Sequence, residues 1–250
     1  MPEGDAVRRT ARRLDRALDD RTLTGSDFRV PQLATADLAG LPHRGTRSRG
    51  KHLLTRIGDL TLHTHLKMEG SWRVLAPGAR WPRPGHEARV VLTAVDVVAV
   101  GFRLGVVELW PTSEESARLA YLGPDLLGAD WDSEKALARL LAAPERPLFD
   151  ALRDQRNLAG IGTIYAAETA FLSGVHPLTP VGEVSALPRM LERTRQMLDQ
   201  EWSRSGRLWV YGRARQPCRR CRTTVRVQQV GPPGQERPAY WCPSCQPDQQ

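Results

Sequence analysis

The chain is short of lysine, of scattered cysteine and of long apolar runs, and each shortage narrows what it can be. Lys51, Lys67 and Lys135 are the only lysines among 36 basic residues, so the basic character is almost wholly arginine. A guanidinium is planar, permanently charged and suited to bidentate phosphate contacts, whereas an ammonium is a mobile point charge that can give up its proton. A lysine retained against that bias, Lys51 in particular, invites a functional question. No stretch approaches the roughly 20 apolar residues a membrane-spanning helix needs, and the first twenty residues are too charged for a secretory apolar segment. Internal repeats and low-complexity tracts are also missing. The expectation is a soluble, intracellular protein.

What the chain does have is positive charge. Its 250 residues carry a formal net charge of +8, with a pI of about 9.9, which implies a polyanionic partner, either nucleic acid or an anionic surface. The length allows one large or two modest domains with a real core.

All four cysteines fall near the C-terminus, as Cys218-x2-Cys221 and Cys242-x2-Cys245. Two such knuckles at the ends of a hairpin can complete a tetrahedral site for one zinc ion, closed to water and therefore structural. Disulfides are the competing reading, but two-residue spacing makes a strained bridge and the expected compartment is reducing. Between the knuckles, Thr223–Gln228 and Pro238–Trp241 are β-prone arms joined by Gly231-Pro232-Pro233-Gly234, and Arg226 and Arg237 lie where such a hairpin can present them to phosphates.

The opening Met1-Pro2-Glu3-Gly4-Asp5 admits two readings. Proline and acids suit a helix start, and Val7, Ala11, Leu14 and Leu18 then recur with helical spacing. Removal of Met1 would also leave Pro2 with a free amine beside a carboxylate, and an α-amine with a pKa of about 8 is substantially unprotonated at neutral pH.

Residues 1–112 otherwise read as β-rich. Leu60, Leu62, Thr64 and Leu66 alternate with polar neighbours, Gly58-Asp59 marks a hairpin, Val90 to Val100 and Val106 to Trp110 read as buried strands, and Ala76 to His86 as a loop. Helical spacing takes over after Ser113, over Glu114–Leu122, Ser133–Leu141, Ile164–Leu172 and Leu187–Trp202. In Arg156-Asn157-Leu158-Ala159-Gly160-Ile161-Gly162-Thr163, two glycines between helices expose N–H groups that can seat a phosphate at the next helix start.

Together these segments resemble the formamidopyrimidine-DNA glycosylase and endonuclease VIII family, nearly end to end. The resemblance is carried by Pro2-Glu3-Gly4, Arg49-Gly50-Lys51-His52-Leu53-Leu54, His65-Leu66-Lys67-Met68-Glu69-Gly70, Leu122-Gly123-Pro124-Asp125, Leu158-Ala159-Gly160-Ile161-Gly162 and Tyr240-Trp241-Cys242-Pro243-Ser244-Cys245-Gln246. It implies an α+β fold of two domains: an N-terminal β-sandwich capped by the first helix (1–112), a linker (113–130), a helix-two-turn-helix domain (131–206) and a four-cysteine zinc finger (207–250), with DNA in the cleft between them.

The resemblance also implies chemistry. Pro2 matches the nucleophile that attacks C1′ of a damaged nucleoside, expels the base and holds the sugar as a Schiff base, after which β- and δ-elimination cut the strand. Glu3 matches the catalytic carboxylate, and Lys51 the hairpin lysine that reaches the sugar and phosphate. Met68 lies at the position of an intercalating wedge, with Phe102 and Leu104 as assistants. Asn157, Gly160, Gly162, Thr163 and Arg237 match DNA-binding positions. The partner implied is damaged DNA, mainly duplex, met by a monomer in the cytoplasm at the nucleoid, with no membrane involved.

Three departures stand out. Asp5-Ala6 replaces the Pro-Glu of many relatives and removes a second carboxylate; Thr163 replaces an asparagine; and Gly101-Phe102-Arg103-Leu104-Gly105 lacks the arginine-rich signature of the 8-oxoguanine branch. The first and third favour the endonuclease VIII side, hence oxidised pyrimidines and abasic sites. Three alternatives stay open: a catalytically weakened damage-binding protein of the same fold, an 8-oxoguanine- or formamidopyrimidine-directed glycosylase, and an RNA-binding zinc-ribbon protein.

Overall fold

A computed structural model describes residues 2–248. The chain divides into two compact units, one of Pro2 and Ala6–Ala120, the other of Glu3–Asp5 and residues 121–248. Met1, whose removal the Pro2 reading requires, lies outside the described residues.

From Ala6 onward, α1 (Gly4–Leu18) belongs to the first unit. Its Val7, Ala11, Leu14 and Leu18 form one buried stripe; between them Arg12 is exposed, whereas Arg13 donates to the Trp72 carbonyl. Eight strands follow: β1 (Gly25–Phe28), β2 (His43–Arg49), β3 (His52–Ile57), β4 (Leu60–His65), β5 (Ser71–Leu75), β6 (Ala88–Thr93), β7 (Val98–Phe102) and β8 (Val106–Pro111). They form two antiparallel four-stranded sheets, ordered β1-β6-β7-β5 and β2-β3-β4-β8. Leu53, Ile57 and Leu62 of one sheet, Val90, Leu92 and Ala99 of the other and the apolar stripe of α1 share a single core. The sheets therefore form a sandwich with the helix closing part of its edge.

One strand expectation is corrected here. Val90 to Val100 is not continuous strand: β6 ends at Thr93 and β7 starts at Val98. Val95 in the turn is 83% exposed, and Asp96 pairs with Arg21 at 2.7 Å. The run read as strand because its one charged residue, Asp96, is flanked on both sides by apolar ones, and periodicity does not reveal so apolar a turn. The helix expected over Glu114–Leu122 is also shorter, α2 (Glu115–Arg118). Glu115 anchors it to the second sheet, accepting hydrogen bonds from Arg56 at 2.7 and 2.9 Å, Arg47 at 2.5 Å and Thr61 at 2.5 Å.

The second unit contains α3 (Ser133–Leu141), α4 (Leu148–Arg153), α5 (Thr163–Ser173) and α6 (Leu187–Asp199), followed by the hairpin of β9 (Arg226–Val230) and β10 (Arg237–Trp241). Helix α5 is its axle, with Thr163 through Phe171 all buried. A helix apolar all round belongs inside a core, and full burial of each large side chain such as Phe171 is worth about 1.5–3 kcal/mol. The charged residue of this axle, Glu168, accepts from the backbone N–H groups of Trp209, Val210 and Tyr211 at 2.8–3.0 Å. That tethers the segment leading into the hairpin, whose Ala239, Cys218 and Cys242 join the same core.

The loop before α5 is tightly built. Gln155 donates to the Ile161 carbonyl at 2.7 Å and accepts from Gly160 N–H at 3.0 Å. Gly160 has φ of 105°, a region that L side chains rarely adopt. A Cβ on Gly123 would lie 2.3 Å from the Asn157 carbonyl oxygen, which explains the glycine in the Leu122-Gly123-Pro124-Asp125 motif. No helix among the described residues is long and apolar enough to cross a membrane.

Candidate active site and nucleic-acid interface

In the second unit, the Glu3 carboxylate sits on the N-terminus of α5. It accepts from the N–H groups of Gly162 at 2.7 Å, Ile164 at 2.8 Å and Tyr165 at 3.4 Å, while Gly4 N–H donates to the Gly160 carbonyl at 2.9 Å. A helix N-terminus carries unpaired donors and partial positive charge, so it is an anion site. Here the anion is a side chain of the same protein.

This arrangement corrects the phosphate expectation for Gly160 and Gly162, because their N–H groups are already taken, by Gln155 and Glu3 respectively. Thr163, the first residue of α5, is buried. Asn157 turns its side-chain amide to the Ala151 carbonyl at 3.1 Å. Asn157, Gly160 and Gly162 thus each spend a polar group on the loop or on the Glu3 seat. Asp5, also buried, accepts from Tyr165 Oη at 2.8 Å and Ser203 Oγ at 2.5 Å.

Arginine gathers nearby in the same unit. Arg146, Arg153, Arg156 and Arg237 line a cavity of about 570 Å³ together with Asp150 and Asp154. Arg146 and Arg153 pair with Asp150 at 2.6 and 3.2 Å, and Arg156 pairs with Asp154 at 2.8 Å. Burial works against the Asp154 charge, but hydrogen bonds from Arg156 and Arg146 win and hold its carboxyl at about 2. Four guanidiniums face two carboxylates, so the cavity keeps a positive excess. Arg237, at the start of β10, is exposed, and Arg153 lies under its influence. Sequence reasoning singled out Arg237 but gave no role to Arg153, or to Arg156 at the head of the glycine-bearing motif.

The four cysteine Sγ atoms lie within 4.8 Å of one another, with Cys221–Cys242 at 3.4 Å and Cys218–Cys245 at 4.0 Å. These separations are too long for disulfides and bracket the roughly 3.8 Å edge of a tetrahedron with metal–sulfur bonds of about 2.3 Å. Burial pushes the Cys245 thiol up to about 12, whereas hydrogen bonds from Thr223 draw Cys221 down to about 6. Four cysteine sulfurs at this spacing form a donor set that can hold one cation.

In the first unit, Lys51 sits half-buried in the turn between β2 and β3. Met68, in the turn between β4 and β5, is 64% exposed, so it is not the core residue that a lone methionine usually is. Phe102 and Leu104 are buried in the core, which corrects their reading as wedge assistants. Between them Arg103 is exposed and pairs with Glu69 at 2.8 Å and Glu87 at 2.6 Å. Next to Lys51 begins a cluster given no role in the sequence reading: His52, His63 and His65. His52 Nδ1 lies 2.8 Å from His63 Nε2, and His63 Nδ1 lies 2.9 Å from Glu108 Oε2. His65 Nδ1 accepts the Lys67 N–H at 2.9 Å, which leaves the other nitrogen to carry the proton of the neutral ring. The period-two spacing of His63 and His65 was the available signal.

Comparison with known proteins gives a consistent result. Residues 1–103 match the formamidopyrimidine-DNA glycosylase N-terminal domain model. The chain is 53% identical to a probable endonuclease 8 2 of Streptomyces coelicolor, covering 98% of this chain and 94% of that protein. It is 46% identical to the DNA-(apurinic or apyrimidinic site) lyase Nei2 of Mycolicibacterium smegmatis, covering 98% and 99%. Among solved structures, the Lactococcus lactis formamidopyrimidine-DNA glycosylase bound to abasic-site DNA superimposes with a TM-score of 0.85 at 22% identity, over 98% of this chain and 100% of that one.

Proposed function

The chain belongs to the formamidopyrimidine-DNA glycosylase and endonuclease VIII family, on its endonuclease VIII-like branch, and is a base-excision repair DNA glycosylase with abasic-site lyase activity; from that premise we propose that its reaction runs through the Pro2 amine and favours oxidised pyrimidines. The observation that carries this reading is the hold on Glu3. Chain ends ordinarily fray, but three N–H donors grip the residue after Pro2 and a backbone bond fixes the next one. An amine held so is oriented for attack before substrate arrives, and orientation is a large part of a nucleophile's advantage.

Once Met1 is removed, the Pro2 nitrogen attacks C1′, the base leaves, and the ring-opened sugar stays bound as a cationic Schiff base. The iminium acidifies C2′, so that β- and then δ-elimination release the strand ends. Glu3 orients the amine and assists ring opening, and Lys51 holds the sugar and its phosphate. Met68 enters the stack vacated by the flipped nucleotide, a role that suits an exposed, flexible apolar side chain. Arg237, supported by Arg153 and Arg156, takes phosphates beside the lesion. Cys218, Cys221, Cys242 and Cys245 would hold one zinc ion, which would supply structural rigidity to the β9–β10 hairpin. The substrate is damaged DNA, mainly duplex, bound by a monomer in the cytoplasm at the nucleoid.

Pyrimidine preference is supported by the β7–β8 connection, which offers a single exposed arginine, Arg103, already paired with Glu69 and Glu87. Borohydride trapping on abasic-site duplex tests the nucleophile: an adduct is expected with the processed protein and none when Met1 is retained. No adduct with the processed protein would sink the Pro2 assignment. Cleavage of duplexes carrying thymine glycol, dihydrouracil, 5-hydroxycytosine or 8-oxoguanine tests the preference, which fails if 8-oxoguanine is removed fastest.

A further inference from the structure

Arg146, Arg153 and Arg156 of the cavity are each paired with a carboxylate, and pairing ordinarily leaves a guanidinium with less to offer a phosphate. These pairs, however, form one ladder along α4 and the turns at its ends, in the order Arg153, Asp150, Arg146, Asp154 and Arg156. Three cations alternate with two anions, so each carboxylate is shared between two guanidiniums and neutralises neither. Arg156 is the exposed end of the ladder, and Arg153, over the Phe149 ring at 4.9 Å, is the buried end.

The exposed end is held firmly. Nε and Nη2 of Arg156 donate to the two oxygens of Asp154 at 3.0 and 2.8 Å, and its backbone N–H donates to the same carboxylate at 3.0 Å. Asp154 also accepts from Arg146 at 3.1 Å. A fork-on-fork pair fixes the plane of a guanidinium as well as its position. The platform beneath is fixed too. The Asp154 carbonyl accepts the N–H groups of Asn157 and Leu158 at 2.9 and 3.0 Å, and the Arg156 carbonyl accepts from Arg139. Gln155, between them, donates to the carbonyls of Arg153 and Ile161 at 2.8 and 2.7 Å.

Despite this hold the Arg156 side chain is 72% exposed. A guanidinium has five N–H donors; the fork takes two of them, and the other three have no partner among the described residues. We propose that Arg156 is a DNA-phosphate ligand in its own right and that Asp154 is its positioning residue, an acid that improves DNA binding. The inference rests on the reading above that this cavity takes DNA phosphates beside Arg237.

Immobilising a long, mobile side chain when a complex forms weakens affinity by roughly two- to tenfold. In Arg156 that ordering is completed on folding, before DNA arrives. Two effects of Asp154 work the other way: its charge repels phosphate, and its oxygens compete for the guanidinium. Repulsion acts on every phosphate nearby whether or not Arg156 is present. Presetting and competition act only through Arg156, and with opposite signs. The coupling between the two residues therefore tells them apart, because the repulsion cancels from a double-mutant cycle.

The test is fluorescence anisotropy of the full chain, over a salt series, on a duplex carrying a tetrahydrofuran abasic analogue. The unaltered protein is compared with Arg156→Gln, Asp154→Asn, the double variant, Arg156→Lys and Arg237→Gln. Arg156→Gln is expected to weaken binding roughly five- to tenfold and to lower the salt slope by about one, with an unchanged melting temperature. Asn at position 154 keeps an oxygen for the Arg156 N–H but loses the fork. In that background Arg156→Gln should weaken binding by no more than about twofold. An equal or larger loss there means competition and overturns the role of Asp154, and unchanged affinity and slope in Arg156→Gln overturn Arg156 as a ligand. Arg156→Lys decides the matter even where Asp154→Asn fails to fold: lysine keeps the charge without the fork and should bind roughly threefold or more below the unaltered protein. Full affinity with lysine overturns presetting. If Arg237→Gln alone changes neither affinity nor slope, the phosphate role of Arg237 falls instead, and the Arg156 variants still decide this one.

Discussion

Glu3 and Gly162 are 159 residues apart in the chain, yet the carboxylate of the first accepts the N–H of the second at 2.7 Å. The pair places the third residue of the sequence at the head of the most buried helix in the second unit. Replacing Glu3 by Gln keeps the shape but loses the charge and one acceptor oxygen. Truncating one side of a buried, charge-assisted set costs about 1.5–3 kcal/mol. Glu3→Gln should therefore lower the melting temperature by several degrees and reduce base release at least 100-fold. A stable but inactive variant would confine Glu3 to chemistry, and an active but unstable one would confine it to structure; thermal melts beside single-turnover base release separate the two.

That relationship also marks the boundary of what the sequence discloses. The α1 stripe and the cysteine knuckles are legible because the helical period and the two-residue spacing are local. The Glu3 seat is not, since nothing local tells a loop N–H awaiting phosphate from one satisfied by a distant carboxylate. Gly160 and Gly162 were misread for that reason. Phe102 failed similarly: a loop position in the sequence turned out to be the end of β7, facing the core. The histidine row needed strand register, which places His52 beside His63 only after three strands are paired.

A second prediction concerns acid. Burial opposes ionisation of Glu115, but hydrogen bonds from Arg56, Thr61 and Arg47 overcome it and bring the carboxyl to about 2. A folded value depressed below the ordinary unfolded value near 4.3 adds stability in full above that unfolded value and loses it as pH falls toward 2. The linkage is worth about 2–3 kcal/mol before screening of the partly exposed arginines. The melting-temperature gap between the unaltered protein and Glu115→Gln should be widest at pH 6–7 and close between pH 4.5 and 2. A gap that widens on acidification would contradict the assignment.

Metal removal is the third. Cys242 and Cys218 are buried in the core that holds Phe171, so the hairpin cannot loosen without disturbing that core. Metal analysis should find one zinc per chain. Chelation, or Cys242→Ser, should lower the melting temperature and weaken duplex binding by roughly tenfold or more, because Arg237 loses its platform. Unchanged binding after verified zinc loss would leave the hairpin without a part in DNA recognition.

Met68 separates duplex-specific work from chemistry. At 64% exposure, truncation to Ala removes little packing, and surface substitutions usually shift stability by less than about 0.5 kcal/mol. A wedge acts only where a stack must be opened and refilled, so it matters in duplex and is idle on a single strand. Met68→Ala should therefore melt like the unaltered protein and cut an abasic single strand at the same rate. On duplexes carrying an oxidised pyrimidine it should release the base roughly tenfold more slowly, a loss of about 1.4 kcal/mol in the transition state. Equal slowing on both substrates would place Met68 in the reacting centre, and no slowing on either would leave the stack to be filled by another side chain.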